Sequence, residues 1–323
     1  MIRLLLSKQA LVIFAAGLFI AAVLPPFLPQ FAITLLTSIL LFAIFTASLD
    51  LLMGHTGLIS LFQAVFWGTG GYTIGILASR GIVQNFYLAM LISIIVVAAV
   101  AAILGLIVVR VTRLYFMIIT FAIGQIFWSF AYTATSITGG ADGLARISRP
   151  DLGLPWSVTG YLNFYYLILV FFAICFYFFY RIVRSPFGSV LVGIKTNEHR
   201  MRALGYNTFW YKYICLILSA VLAGVAGSLY VYFDNYIGPA EVGWGWSAEA
   251  TIMALIGGSG AVAGPIIGAA TYTFLRYFVS AYTLHWPLAI GIGFILVVLY
   301  FPRGIAGFIT DLTRRNGRGS VKD

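Results

Sequence analysis

The chain has 323 residues, of which 62% are hydrophobic and 9% charged, and its net charge is +10. Soluble domains carry about 25% charged residues, so this composition excludes an ordinary water-soluble protein, and the high hydrophobicity excludes disorder. Runs without Asp, Glu, Lys or Arg, such as 51–79 and 81–109, fit the roughly 20 apolar residues of a membrane-spanning helix better than the roughly 10 of a barrel strand. We therefore predict an all-α, polytopic helical membrane protein with a single transmembrane domain, 1–323.

About ten spans are expected, one or two of them short or broken. A proline cluster at 25–29 separates the first two, and glycines interrupt the third. The eighth is short and ends in glycine, as in a half-helix or a re-entrant segment. The predicted spans are 9–28, 31–52, 57–79, 86–109, 114–134, 161–180, 213–233, 247–258, 264–282 and 285–301.

The basic residues predict the orientation. Ten spans place both termini on the same side of the membrane, and fifteen of the 19 Lys and Arg residues then fall on that side. Cytoplasmic loops carry the excess of Lys and Arg. We therefore expect both termini, the segment 181–212 and a short basic tail, 302–323, to lie in the cytoplasm.

The segment 181–212 is the long polar stretch between spans on the predicted cytoplasmic side. Pro186 can end the preceding helix. We predict a short helix that is capped by Asn197 or Thr196 and ends at Gly205. A helix tethered between two spans can dock in the groove of a partner and transmit its motion. The alternative is an interfacial connector whose basic residues face anionic lipid.

The stretch from Ser185 to Leu229 resembles the permease subunits of bacterial branched-chain amino-acid ABC importers. It carries Pro-Phe-Gly from Pro186, then Asn-Glu, Ala-Leu-Gly-x-Asn, Tyr-Lys and a run of small residues from Ser219. Four other stretches resemble the same family in order, and they are 54–72, 138–144, 257–268 and 301–307. In that family the cytoplasmic loop contacts the ATP-binding subunits. The resemblance therefore implies a coupling role for Asn197, Glu198, Ala203, Leu204, Gly205 and Asn207.

The resemblance also implies a function and an assembly. The chain is expected to move branched-chain or other hydrophobic amino acids across the bacterial inner membrane by alternating access. Its expected partners are a homologous second permease, two ATP-binding cassette subunits, an extracytoplasmic binding protein and the lipid bilayer, with no nucleic acid. A urea or short-amide permease is the alternative within the family, and an ion-coupled secondary transporter that uses Asp50 is the alternative outside it.

No catalytic, cofactor or metal site is expected. The Gly-x-x-x-x-Gly-Lys-Ser/Thr sequence that binds nucleotide phosphates is absent, so the chain is not expected to be an enzyme, and ATP hydrolysis would come from separate subunits. The three histidines are far apart and have no metal-ligand spacing.

Polar residues in or beside the spans are the remaining candidates. Uncharged ones line a route for a zwitterion or bond helices together, and a charged one at depth often marks a pathway. Arg276 is expected to snorkel outward or to pair with a carboxylate, and Asp142 to contact the binding protein or to form a turn. The pairs Gly71/Gly75 and Gly264/Gly268 predict close helix packing. The candidate pathway residues are Asp50, Ser60, Gln63, Thr120 and Gln125.

Overall fold

The chain folds into helices, which confirms the all-α prediction. The computed structural model describes residues 16–83, 85–111, 113–147, 160–300 and 304–307. Three 3₁₀ turns, Pro25–Phe27, Gly140–Asp142 and Pro239–Val242, and two short strands, β1 (Leu144–Ala145) and β2 (Tyr236–Ile237), connect the helices. The helices are α1 (described over 16–23), α2 (Gln30–Met53), α3 (Gln63–Ser79), α4 (Phe86–Val108), α5 (Arg113–Thr133), α6 (Thr135–Thr138), α7 (Tyr161–Arg184), α8 (Pro186–Thr196), α9 (Glu198–Ala203), α10 (Thr208–Asp234), α11 (Trp244–Gly257), α12 (Gly264–Ser280) and α13 (Trp286–Tyr300).

Five of the described helices, α2, α4, α5, α7 and α10, are long and apolar enough to cross a membrane. The other predicted spans within the described residues are shorter, and α3, α11, α12 and α13 have 17, 14, 17 and 15 residues. The polytopic prediction is confirmed, with short helices more numerous than expected. Residues 9–15 of the first predicted span and all of the predicted tail except 304–307 lie outside the described residues.

Several predicted boundaries are wrong. The third span does not begin at 57, because 54–62 is irregular and α3 begins at Gln63. The helix predicted to end at 180 continues through Arg181 to Arg184. Cations are favourable in the last turn of a helix, so a charge-free run underestimates the length of α7. Similarly, α10 begins at Thr208 rather than 213. The charge-free run starts only after Lys212, but Lys212 lies inside the helix because Glu198 neutralises its charge.

The core is built around α2, α3 and α10. In the most apolar stretch of α2 and of α10, 72% of the residues are buried inside the protein, against 28% for α4 and 22% for α5. Helix α10 packs on α2, α3 and α4, while α2 also contacts α7 and α12. The exposed apolar faces of α4 and α5 therefore fit the apolar interior of a membrane.

Glycines let the central helices approach closely. A Cβ atom added at Gly70 would lie 2.2 Å from the carbonyl oxygen of Gly224, and one at Gly227 would lie 2.0 Å from that of Trp67. Helices α11 and α12 meet in the same way, since a Cβ at Gly268 would lie 1.8 Å from the Met253 oxygen. The packing role predicted for the Gly264/Gly268 pair is confirmed, as small residues at helix interfaces favour association within membranes.

The connections between helices gather at two ends of the molecule. At one end, called here the coupling end, Gly54, Arg113, Lys195 and Gly260 lie together. At the other, called the distal end, β1 pairs antiparallel with β2 and Arg80 Nη2 donates a 2.8 Å hydrogen bond to the Ser136 carbonyl. This grouping agrees with the predicted alternation of loops between two sides.

Candidate coupling segment and polar core

Residues 186–207, called here the coupling segment, form two capped helices. The Ser185 hydroxyl accepts a 3.2 Å hydrogen bond from the Gly188 N–H, and Pro186 occupies the first turn of α8. Asn197, rather than Thr196, caps α9 by accepting a 2.9 Å bond from the Arg200 N–H. Side-chain caps and an N-terminal proline are strong helix-start signals. Helix α8 therefore begins directly after Ser185, at Pro186.

The Glu198 carboxylate fastens α9 to the start of α10. Oε1 accepts hydrogen bonds from Arg202 Nη2 at 2.6 Å, Lys212 Nζ at 2.9 Å and Thr208 Oγ1 at 3.0 Å. Partial burial raises the pKa of the carboxyl, but the bonds and charge of Lys212 and the bonds of Arg202 and Thr208 outweigh burial, and the pKa lies below its usual value. The charged form is therefore the stable one, and Glu198 braces the coupling segment from within.

The other five residues expected to couple lie on the exposed side of the segment. The Leu204 side chain is 66% exposed although it is apolar. Gly205 has φ +88°, a left-handed conformation that glycine adopts without strain, as expected for the residue that ends the helix. A groove of about 810 Å³ lies beside this surface, and it is lined by Arg184, Pro186, Phe187, Ser189, Val190, Met201, Tyr206 and Tyr211.

The coupling segment is also bonded to two helices of the transmembrane core. Lys195 Nζ donates a 2.7 Å hydrogen bond to the carbonyl of Gly54, the residue directly after α2. The Arg113 guanidinium at the start of α5 donates to the carbonyls of Ile194, at 3.4 Å, and Lys195. With the Glu198 brace, these bonds connect the segment to α2, α5 and α10. The sequence offered no signal for them, because the partners are far apart along the chain.

A fully buried polar network joins α2, α3 and α10. Gln63 Nε2 donates hydrogen bonds of 2.9 Å to the hydroxyls of both Ser48 and Ser219. Ser219 Oγ in turn donates to the Ser48 carbonyl at 2.5 Å, and Ser60 Oγ donates to Gln63 Oε1 at 3.4 Å. Sequence reasoning found Ser60 and Gln63 but missed Ser48 and Ser219, although both carry hydroxyl groups within apolar helices.

Two further bonds hold the irregular stretch before α3 and the first turn of α3. The Leu61 N–H donates to Thr120 Oγ1 at 3.3 Å, and the Ala64 N–H donates to Ser247 Oγ at 2.8 Å. Thr120 thus lies beside the network. Gln125 does not, because it is half-buried on α5 and makes no side-chain hydrogen bond to another described residue.

Asp50, two residues beyond Ser48 on α2, makes no hydrogen bond to the described residues of the network and lies at the coupling end. Its side chain is buried, and Oδ1 accepts a 2.9 Å hydrogen bond from the Gly260 N–H in the turn between α11 and α12. The pathway candidates therefore form one group of three neighbours, Ser60, Gln63 and Thr120, while Asp50 and Gln125 are separate.

Asp142 is exposed at the distal end in a turn that depends on glycine. Gly139 and Gly143 have φ +79° and +66°. A Cβ at Gly139 would lie 2.0 Å from the Gly143 oxygen, and one at Gly143 would lie 2.4 Å from the Ile237 oxygen. The turn therefore holds Asp142 in a fixed, accessible position.

The Arg276 side chain pairs with a carboxylate, which is one of its two expected arrangements. Nη1 lies 3.2 Å from Glu249 Oε2 on α11, and the guanidinium lies 4.9 Å from the centre of the Trp286 ring. The pair fastens α11 to α12. Within the described residues, no group of three or more His, Cys, Asp or Glu side chains is placed to hold a metal ion.

Residues 10–301 match the family described as "Branched-chain amino acid transport system / permease component". The high-affinity branched-chain amino acid transport system permease proteins LivM of Escherichia coli K12 and Salmonella typhimurium LT2 are 26% and 24% identical to the chain. Each alignment covers 92% of this chain and 75% of the relative. A probable LivM of Methanocaldococcus jannaschii is 27% identical over 53% of each chain. No solved structure matches. Because the family match spans most of its length, the chain belongs to the permease components of branched-chain amino acid transport systems.

Proposed function

We propose that the chain is one membrane-spanning subunit of an ATP-driven importer that carries branched-chain amino acids by alternating access. Its relatives are named as permeases for these substrates, and the family match supports the same substrate class here. The proposed assembly contains a homologous second permease, two ATP-binding subunits and an extracytoplasmic binding protein. The chain itself has no catalytic role in this scheme.

The observation that carries the proposal is the way the coupling segment is attached. Glu198 fixes it to α10, Lys195 to the end of α2, and Arg113 of α5 to the end of α8. A short rigid segment bonded to three helices moves those helices when a partner displaces it. The exposed Leu204 supplies an apolar contact for that partner.

The proposed orientation places the coupling end in the cytoplasm. Lys and Arg concentrate on cytoplasmic loops, and the coupling end holds Arg113, Lys195, Arg200 and Arg202. Both termini would lie on that side. The distal turn with Asp142 then faces the binding protein, outside the inner membrane.

We place the translocation pathway along α2, α3 and α10, beside Gln63 on α3, Ser60 just before α3 and Thr120 on the neighbouring α5. The hydrogen bonds of Gln63 close the route in this conformation, because they join all three helices. An uncharged network accepts the two charged groups of a zwitterion without burying a residue of net charge, which is costly within a membrane.

Reconstitution in proteoliposomes tests the proposal. The chain is purified with its ATP-binding, second permease and binding subunits, and uptake of leucine and urea is measured with ATP inside the vesicles. We expect ATP-dependent uptake of leucine, with none when a non-hydrolysable ATP analogue replaces ATP. Uptake by the chain alone, driven by an ion gradient, would support the ion-coupled alternative through Asp50, and uptake of urea alone would support the amide permease.

A further inference from the structure

Asp50 is a buried acidic residue whose set of hydrogen-bond partners is incomplete. The side chain is 0% exposed. Oδ1 accepts a hydrogen bond from the Gly260 N–H and the Ser259 hydroxyl adjoins the carboxyl group, but no described residue donates a hydrogen bond within 3.5 Å to Oδ2. His55 Nδ1 lies 4.0 Å from Oδ2 and makes its contact, at 3.2 Å, with the Asp50 carbonyl instead. A carboxylate oxygen left without a partner inside a protein is costly.

Lys195 is a basic residue of the coupling segment that bonds the residue next to this carboxyl group. Its Nζ now bonds a neutral acceptor, the Gly54 carbonyl, at 2.7 Å. Gly54 touches Asp50, because a Cβ at Gly54 would lie 2.3 Å from Asp50 Oδ1. The present acceptor of the ammonium and the unsatisfied carboxylate are therefore neighbours.

We propose that Lys195 exchanges these acceptors during transport: when the coupling segment is displaced, Nζ leaves the Gly54 carbonyl and bonds Asp50 Oδ2. The inference rests on the proposed function, since an external subunit supplies the displacement. A hydrogen bond between an ammonium and a carboxylate is stronger than one between an ammonium and a carbonyl. The flexible four-carbon stem of lysine allows the exchange, and the new bond satisfies Oδ2.

The exchange would extend the influence of the coupling segment to α11 and α12. Asp50 Oδ1 holds the Gly260 N–H, and Gly260 lies in the turn between these helices with φ +85°. The same turn packs tightly on α2, since a Cβ at Gly260 would lie 3.0 Å from the Gly54 oxygen. A change in the charge and position of Asp50 therefore alters the hydrogen bond that holds the turn. Lys195 and Asp50 act as positioning residues in this scheme.

The test uses the complete complex in proteoliposomes and measures both leucine uptake and ATP hydrolysis. Asp50→Asn keeps an oxygen for the Gly260 N–H but removes the charge, and Lys195→Gln removes the cation. Each single variant is expected to lower uptake per ATP hydrolysed about tenfold while ATP hydrolysis continues. The double variant is expected to lower it about tenfold as well, rather than a hundredfold, because both changes remove the same bond. Lys195→Arg keeps the charge and serves as the matched control, which we expect to remain coupled.

Normal uptake per ATP in Lys195→Gln, or a loss in the double variant equal to the product of the single losses, would overturn the exchange. If Asp50→Asn does not accumulate, the exchange is tested by comparing Lys195→Gln with Lys195→Arg. Equal uptake per ATP in these two variants would also overturn the exchange. Failure of the proposed function gives a different result, because the unaltered complex would then show no ATP-driven uptake. The exchange would be rejected together with the proposed function.

Discussion

Lys212 Nζ lies 2.9 Å from Glu198 Oε1, so that a lysine in α10 is neutralised by a glutamate in the coupling segment. The Lys212 side chain is 5% exposed and the Glu198 side chain 26%. Removing one partner of a buried ion pair is strongly destabilising because the other charge remains. Glu198 therefore fixes the segment in place, and in the proposed assembly we expect it to act through these bonds rather than by contacting an outside partner.

Replacing Glu198 by glutamine should loosen the coupling segment. The variant keeps an oxygen but loses the charge that holds Lys212 and Arg202. We expect backbone amides of α9 to exchange hydrogen roughly tenfold faster, which corresponds to about 1.4 kcal/mol. Thr196→Ala is the control, because the Thr196 hydroxyl bonds only the Val192 carbonyl of its own helix among the described residues. Equal rates of hydrogen exchange in both variants would contradict the role of Glu198 in holding the coupling segment.

The stabilisation of the coupling segment by Glu198 should also depend on pH. The pKa of the Glu198 carboxyl lies below its usual value of 4.5, so the stabilisation is complete above that value and is lost as the pH falls through the lowered pKa. Protection of α9 from hydrogen exchange, corrected for the intrinsic rate, should be constant from neutral pH to about pH 5 and decline only in stronger acid. Glu198→Gln should show no such decline, and a decline that begins near neutral pH would contradict the assignment.

Gly139→Ala should disrupt the distal turn. The substitution strains a left-handed residue and places a Cβ against the Gly143 oxygen, so we expect a cost of about 1–3 kcal/mol and a lower thermal midpoint. Gly160→Ala is the control, because a Cβ there meets no atom of the described residues within 4 Å. The two variants are compared by thermal unfolding in nanodiscs. An unchanged midpoint for Gly139→Ala would show that the turn tolerates a side chain.

Gln63→Leu should reduce transport more than stability. Ser219 keeps its bond to the Ser48 carbonyl and Ser48 keeps its bond to that of Phe45, so the loss of stability should be about 1–2 kcal/mol. ATP-driven leucine uptake should fall at least about tenfold if Gln63 lies on the pathway, a change of about 1.4 kcal/mol.

Gln125→Leu is the matched control for Gln63→Leu, since it is the same substitution at a half-buried position outside the network. It should leave uptake close to normal. If Gln63→Leu lowers uptake only in proportion to the amount of folded protein, Gln63 has a structural role and is not on the pathway.

Helix positions and the two ends of α9 were predictable because their signals are local. Charge-free runs located the spans, and Asn197 and Gly205 marked the helix ends through their own backbone preferences. The start of α3 was not predictable, since it depends on Thr120 and Ser247, which lie 59 and 183 residues from their partners. The bond from Lys195 to Gly54 spans 141 residues, and no periodicity or spacing in the sequence indicates such a pair.

The central claim is that an ATP-binding subunit contacts the coupling segment, and crosslinking from Leu204 tests it most directly. A photoreactive amino acid is placed at Leu204 in the assembled transporter in cells, with Asp142 at the distal end as the comparison position. The account predicts that Leu204 crosslinks to an ATP-binding subunit and that Asp142 does not. Crosslinks from Leu204 to lipid or to the binding protein, with none to an ATP-binding subunit, would contradict it.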